Sequence, residues 1–285
     1  MKPASFVYHR AHDVVGAGRL LAELGDEAKL IAGGQSLVPM MNFRLARPRH
    51  LVDIGGLREL SYLRVDESGL HIGALTTHHE VETAAETAPG SGFELLRAAM
   101  GWVGHLPIRT RGTVGGSLAH GDATAEWCLL AVVLDAYVVA AKGDGTRRKI
   151  AAHELFLGFF STSLEPGELI VEIVFPRAAP HAAIAEFALR RGDFAIVAAL
   201  VTLELDGERL RGARIVLGGV SEMPQRVPAA EAVLVGEVTS ELFATCADAA
   251  ASAIDPPSDA NGSADYRREL TRTLVAQACK EAASR

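Results

Sequence analysis

The chain has 285 residues, 49% of them hydrophobic, and a formal net charge of -7. That is enough apolar material for one large domain or two unequal ones. The acidic balance, with no basic face interleaved with aromatics, argues against a nucleic-acid partner. Arg147, Arg148 and Lys149 form a short basic cluster that reads as a solvated turn and strand edge. The three cysteines, Cys128, Cys246 and Cys279, are far apart. They make no CxxC pair and no even disulfide set, which suits a reducing compartment, and they are too few to hold an iron–sulfur cluster. Residues 1–10 carry no secretory h-region. The richest apolar run, 129–141, contains Asp135 and falls short of the roughly 20 residues a membrane span needs. The expected location is the cytoplasm.

In chain order, residues 13–24 predict a helix, with Asp13 as cap, apolar residues at helical spacing and Gly25 after the end. Residues 28–31 predict a strand that breaks into Gly33-Gly34, and 51–54 a second one ending in Gly55-Gly56. Residues 70–74 read as a strand, 77–88 and 93–103 as helices, 112–116 as a glycine-rich loop and 123–134 as a helix. Residues 137–141 and 147–151 form a hairpin around Gly143-Asp144-Gly145, and 169–175 alternates as a strand. The Pro- and Ala-rich stretch 177–181 predicts a linker. Beyond it come strands at 184–189, 197–205 and 210–217, then helices at 229–234, 240–254 and 266–282, with an exposed loop at 255–262. Strands followed by helices give an α+β pattern.

Two segments pair glycines with a hydroxyl residue after a strand-like stretch: Ala32-Gly33-Gly34-Gln35-Ser36-Leu37 and Thr113-Val114-Gly115-Gly116-Ser117-Leu118. Glycine lets backbone N–H groups converge on a phosphate, because no Cβ blocks the approach and positive φ carries no steric penalty. A hydroxyl adds one more donor. Neither segment is a GxGxxG or GxxxxGK[ST] motif. With 28 glycines in the chain, the residues alone leave two ordinary turns and a phosphate cradle equally open.

The wider motifs resemble a known family. Residues Ala32 to Leu45, reading AGGQSLVPMMNFRL, and Ile108 to Asp122, reading IRTRGTVGGSLAHGD, resemble the two FAD loops of the flavin-binding medium subunits of molybdenum hydroxylases, the carbon monoxide dehydrogenase and xanthine dehydrogenase group. Arg190-Arg191-Gly192-Asp193-Phe194-Ala195 resembles a third motif, and all three keep the family's order over essentially the whole chain. The resemblance implies an α+β fold: a two-subdomain FAD-binding domain of the vanillyl-alcohol-oxidase (PCMH) type over 1–176, split near 55, then a smaller α+β domain over 182–285. It implies that Ala32, Gly33, Gly34, Gln35, Ser36, Leu37, Thr113, Val114, Gly115, Gly116 and Ser117 grip a non-covalent FAD through backbone N–H groups and hydroxyls. Asp122 would accept from a ribose hydroxyl, with Glu126 as a second candidate. Ile170 would pack near the flavin ring, and Phe194 beside it, where the family often has tyrosine. Molybdopterin and 2Fe-2S clusters are expected in a large and a small partner subunit only. The chain would take electrons from those clusters and pass them to NAD, a quinone or another acceptor.

This chain departs from the family's pattern at Thr110, where asparagine is frequent, and at Pro107, where a polar residue is frequent. Other candidates read more plainly. His78-His79 with Glu80 and Glu82 reads as the solvated start of a helix rather than a metal site. His120, beside the second segment, is open between a flavin contact and a structural role. Cys128 reads as a buried hydrophobe. No GxSxG elbow supports hydrolase chemistry. The alternatives to a relay subunit are a self-contained flavin oxidase or dehydrogenase of the same wider fold and a flavin-free scaffold.

Overall fold

The computed structural model describes residues 2–285. The first unit comprises β1 (Val7–Arg10), α1 (Val14–Leu24), β2 (Ala28–Ile31), α2 (Leu37–Asn42) and β3 (His50–Asp53). Its strands form a parallel sheet in the order β1-β3-β2. Asp13 caps α1 by accepting from Gly16 N at 2.6 Å, and Gly25 ends it at φ 57°. The edge strand β1 and helix α2 are elements that the sequence pattern did not announce.

The middle unit begins with β4 (Leu63–Asp66), β5 (Gly69–Gly73), α3 (His78–Thr83), α4 (Glu94–Met100), α5 (Leu106–Arg109), α6 (Val114–His120) and α7 (Glu126–Val133). It continues with β6 (Tyr137–Ala141), β7 (Arg147–Ala151), α8 (Ala152–Leu155), β8 (Phe156–Gly158), β9 (Ser161–Thr162) and β10 (Leu169–Phe175). Five strands pair in the antiparallel order β4-β5-β10-β6-β7. The helix expected over 77–88 is shorter: α3 ends where Ala84 turns extended, and a separate 3₁₀ turn covers Ala85–Thr87. The Thr87 hydroxyl donates to Val81 O at 2.6 Å, competing with a continued helix. The helix expected over 93–103 stops at Gly101.

The last unit holds β11 (Ala182–Phe187), β12 (Val197–Asp206), β13 (Arg209–Gly218), β14 (Gln225–Arg226), α9 (Pro228–Glu231), β15 (Gly236–Glu237), α10 (Ser240–Ser252) and α11 (Ala264–Ala283). Its sheet runs β11-β12-β13-β14, with β15 also on β13. Residues 177–181 are not a loose linker, because Ala179 N donates to Gly92 O at 2.8 Å.

The sheet β11–β13 has two apolar faces. Ala183, Ala185, Ala199, Val201 and Leu217 pack with α10 and α11 in one core. Ala182, Ile184, Ala198, Leu200 and Val216 belong instead to the core built around α7. Every residue of α7 from Trp127 to Val133 is buried, as expected of a helix that is apolar all round. The middle unit and the last unit therefore share one core, and α7 is its centre.

Glycines bring the first two units together. A β-carbon at Gly18 of α1 would lie 2.4 Å from Gly143 N in the β6–β7 turn. Backbone meets backbone there, and Arg19 Nε donates to Gly143 O at 3.2 Å.

Leu129 is fully buried in α7, and its side chain touches the end of β13 at Gly218. Leu129→Ala is expected to lower stability by about 2–5 kcal/mol. Because the core is shared, probes in the two units should lose structure in one transition on urea titration. Unchanged stability, or a last unit that melts at its wild-type midpoint while the middle unit melts early, would contradict the shared core.

Candidate FAD site

The first glycine segment lies between β2 and α2. Gly34 holds φ +71°, a left-handed conformation that glycine takes without strain. Val38 N donates to Gly34 O at 3.0 Å, and the Gln35 side-chain amide donates to Gly33 O at 3.0 Å. Among the described residues, the N–H groups of Gly33, Gly34, Gln35, Ser36 and Leu37 have no acceptor within the chain. Ser36 makes no side-chain capping bond. Five consecutive unengaged donors on a half-buried turn form a nest suited to an anion. Because α2 has only six residues, its dipole adds little, and the donors themselves carry the attraction.

The second segment is built differently from the sequence expectation. It is the first turn of α6 rather than a loop, with Thr113 as N-cap. Gly116 N donates to Thr113 Oγ1 at 3.2 Å and Ser117 N to Thr113 O at 3.0 Å. Val114 N donates to Thr76 O at 3.0 Å and Gly115 N to Ala74 O at 2.9 Å. These four N–H groups are therefore engaged inside the chain. Gly115 is buried against Ala74, where a β-carbon would lie 2.6 Å from the alanine methyl. Gly116 is exposed, and a β-carbon there would meet only Thr113 Oγ1 within 4 Å. The segment offers an open backbone face at Gly116 and the half-buried Ser117 hydroxyl.

The two segments touch. A β-carbon on Gly33 would lie 1.9 Å from Arg111 O, so Gly33 is needed for the loops to meet at all. Behind them His78 fixes the second segment. His78 N donates to Gly112 O at 3.1 Å, and the His78 ring accepts from the buried Trp127 indole N–H at 2.9 Å. Burial, with the nearby Arg109 charge, pulls the His78 pKa down to about 4. The expectation of a solvated pair therefore fails for His78, which is a neutral core acceptor; its apolar neighbour Val81 and partner Trp127 are both fully buried. His79 is half-buried and lies 3.2 Å from Glu82. No group of three metal-ligating side chains occurs among the described residues.

At the other end of α6 opens a cleft of about 420 Å³, lined by Asp122, Thr124, Phe159, Phe160, Phe194 and Arg267 among others. Asp122 Oδ1 accepts from Thr124 N at 2.8 Å and from the Thr124 hydroxyl at 2.7 Å. The His120 ring packs at 4.8 Å from Phe160, and burial lowers its pKa. Phe194 is 71% exposed on the turn after β11. Its neighbour in the cleft, Arg267, is buried and donates to Gly219 O at 2.8 Å and to both Asp259 oxygens at 2.8 Å. Glu126 opens α7 and is half-buried. Ile170 is buried in β10 opposite Ala140, inside the shared core, and is not among the residues lining the cleft.

The structure thus brings Ala32 to Leu37 against the second segment, and Asp122 together with Phe194. The seven-residue helix α6 joins the two places; at 1.5 Å per residue it spans roughly 10 Å. Its outward residues Gly116 and Ala119 are small and exposed, which leaves a smooth path between donor nest and cleft. The sequence reading missed Phe159, Phe160 and Arg267. Two adjacent phenylalanines outside any periodic pattern were the available signal for the first two.

Donors suited to an anion thus lie at one end of α6 and a cleft with aromatic walls at the other. Comparison with known proteins places the chain in a family. The family described as FAD binding domain in molybdopterin dehydrogenase matches residues 4–178, and the CO dehydrogenase flavoprotein C-terminal domain matches residues 182–282. The chain belongs to this family, the FAD-binding medium subunits of molybdenum hydroxylases. It is 43% identical to the 6-hydroxypseudooxynicotine dehydrogenase complex subunit alpha of Paenarthrobacter nicotinovorans, over 100% of this chain and 97% of the relative. It superposes on a chain of carbon monoxide dehydrogenase from Hydrogenophaga pseudoflava with a TM-score of 0.94 at 35% identity, covering 100% and 99% of the two chains. A chain of quinoline 2-oxidoreductase from Pseudomonas putida 86 matches with the same score, identity and coverage. No helix among the described residues is long and apolar enough to cross a membrane.

Gly116→Val is expected to leave the fold within about 1–2 kcal/mol of wild type, because its β-carbon disturbs only the Thr113 cap. It should nevertheless abolish FAD retention, measured as flavin released per chain on denaturation. Full flavin content in a folded variant would remove Gly116 from the site.

Proposed function

We propose that the chain holds FAD non-covalently along α6 and relays electrons between partner subunits and a final acceptor. The carrying observation is the row of five unengaged N–H donors at Gly33 to Leu37, set in backbone contact with the second glycine segment. These donors, with the Ser36 and Ser117 hydroxyls and the open face of Gly116, hold the pyrophosphate. Asp122 has one carboxylate oxygen committed to Thr124; its other oxygen is left to accept from a ribose hydroxyl. Phe194 and Phe160 offer ring faces for the flavin. The three cysteines are buried free thiols outside the cleft, which supports non-covalent attachment.

Bound FAD supplies a centre able to take electrons singly or in pairs. The chain's own residues bind and orient it. The exposed apolar side chains that line the cleft, Phe159, Phe160, Leu189 and Phe194, suit a surface that a partner covers. The partner reading is a small 2Fe-2S subunit feeding electrons to the flavin and a large molybdopterin subunit that oxidises the substrate. NAD or a quinone is the class of acceptor, and the cytoplasm is the location. Domain limits of 1–176 and 182–285 complete the proposal.

Phe194→Ala should weaken FAD binding by about 1 kcal/mol, roughly fivefold, read by fluorescence titration of the apo-chain, while Phe194→Tyr should bind almost normally. Equal affinities in all three proteins would exclude stacking at this position. Co-expression with the two partner subunits should yield one species on size exclusion that contains flavin, iron and molybdenum. If the partners reduce the physiological acceptor at full rate without this chain, the relay reading is wrong.

A further inference from the structure

Glu186 lies on β11, on the face of the sheet that meets the FAD-binding domain. It is 92% buried, since only 8% of its surface is exposed, and its Oε2 has no hydrogen-bond partner. Its neighbours along the row are Ala198 on β12 and Gly218 on β13. A β-carbon at Gly218 would lie 3.0 Å from Ala123 O and 2.9 Å from a Leu129 methyl. That row therefore packs against the start of α7, whose first residue is Glu126. A half-buried carboxyl at the start of α7 and a buried one on β11 thus lie at one largely apolar interface, and neither has an ion-pair partner among the described residues.

Among the described residues, no Lys, Arg or His lies within ion-pair distance of either carboxyl, although α4 carries Arg97, whose Nε is buried without a partner. On α7 the other ionisable group is Cys128, and the segment before it carries His120 and Asp122. The stretches 197–203 of β12 and 215–218 of β13 carry no charge. From α4, Glu94 accepts from Gly90 N, and Arg97 donates to Ala84 O. From the opposite face of the sheet, α11 presents Arg267, which Asp259 engages in a bidentate pair. A buried, unpaired carboxylate at Glu186, with a second carboxylate at the same interface, would be strongly unfavourable.

We propose that Glu126 and Glu186 are a proton-binding site at the interface of the two domains, retaining a proton between them in the folded protein and releasing it in mildly alkaline solution. The proton removes the repulsion that would otherwise push the C-terminal sheet off α7. The interface also forms the cleft, with Asp122 and Thr124 from one domain and Ala195, Ile196 and Gly219 from the other. The site thus makes the seating of the two cleft walls sensitive to pH.

Titration directions agree with this geometry. Burial raises Glu186 to about 8, with Glu126 adding to the effect, and burial raises Glu126 to about 7, with Asp122 adding. A carboxyl whose folded pKa is raised binds more protons folded than unfolded. Its stabilising contribution is complete below the unfolded carboxyl range and is lost as pH rises through about 7 to 8.

The test is thermal unfolding of the full chain across mildly acidic to alkaline pH. The wild type should lose several degrees of Tm over that range. Glu126→Gln with Glu186→Gln, which mimics the protonated pair, should remove most of the loss and unfold higher than wild type in alkali. Glu186→Lys should also unfold higher in alkali, because an ammonium then faces Glu126. Infrared difference spectra of the wild type should show a carboxylic-acid C=O band that vanishes over the same pH range. That measurement keeps the test intact if a variant fails to fold. A double glutamine variant whose pH profile parallels the wild type, or no titrating acid band in the wild type, would overturn the proposal. None of these readouts requires bound FAD.

Discussion

The burial of α7 is the constraint on which the rest of the architecture depends. Its seven residues from Trp127 to Val133 are all buried, so this helix has no solvent face. A helix of that kind must be wrapped on all sides, and here two units share the task. The antiparallel middle sheet covers one side and the sheet β11–β13 covers another, and their residues enter a single core. At about 1.5–3 kcal/mol for a buried large aliphatic side chain, removing the second sheet would uncover at least Leu129, which packs on Gly218, a loss that is a sizeable part of a domain's whole stability. The two-domain arrangement follows from the helix rather than from the segment that joins the domains.

That arrangement fixes where chemistry can occur. The start of α7 must emerge from the core, and it does so at Asp122 to Glu126, between the domains. The cleft lies there, with Asp122 to Thr124 on one wall and Asp193 to Ile196 on the other. At the other end of α6, contact between Gly33 and Arg111 holds the first unit against the middle one. The contact of Gly18 with Gly143 repeats this on α1. Both contacts need glycine for steric reasons that involve no ligand, so glycine-rich sequence here serves the assembly of the fold. Gly34, with its positive φ, and Gly116, with its open face, have no such backbone contact to explain them.

Much of this was legible in the sequence. Helix α1 and strands β2, β6, β7, β10 and β12 carry strong local patterns, and the structure places them within a residue or two of expectation. The motif resemblance identified the flavin-binding family from its glycine segments. What escaped was set by tertiary contact. The edge strand β1 exists because β3 pairs with it, from Val7 opposite His50 to Arg10 opposite Asp53. The glycines at 115 and 116 read as a loop, yet Thr113 caps a helix there, and bonds to Thr76 and Ala74 hold its start. His78 looked solvated because its sequence neighbours are polar, and nothing local announces that Trp127, 49 residues away, will donate to it.

The two glycine segments divide their work in a way the backbone makes explicit. The second uses all four N–H groups from Val114 to Ser117 for its own structure, and so it is rigid. The first leaves five unengaged within the chain, open to water or to an anion. Half-buried donors without acceptors are unfavourable, whereas donors already gathered around a point bind an anion with little further ordering. A rigid wall beside an unsatisfied one therefore suits an anion better than two loops of equal mobility would. The contact at Gly33 passes the rigidity of the second segment to the first at the point where the free donors begin.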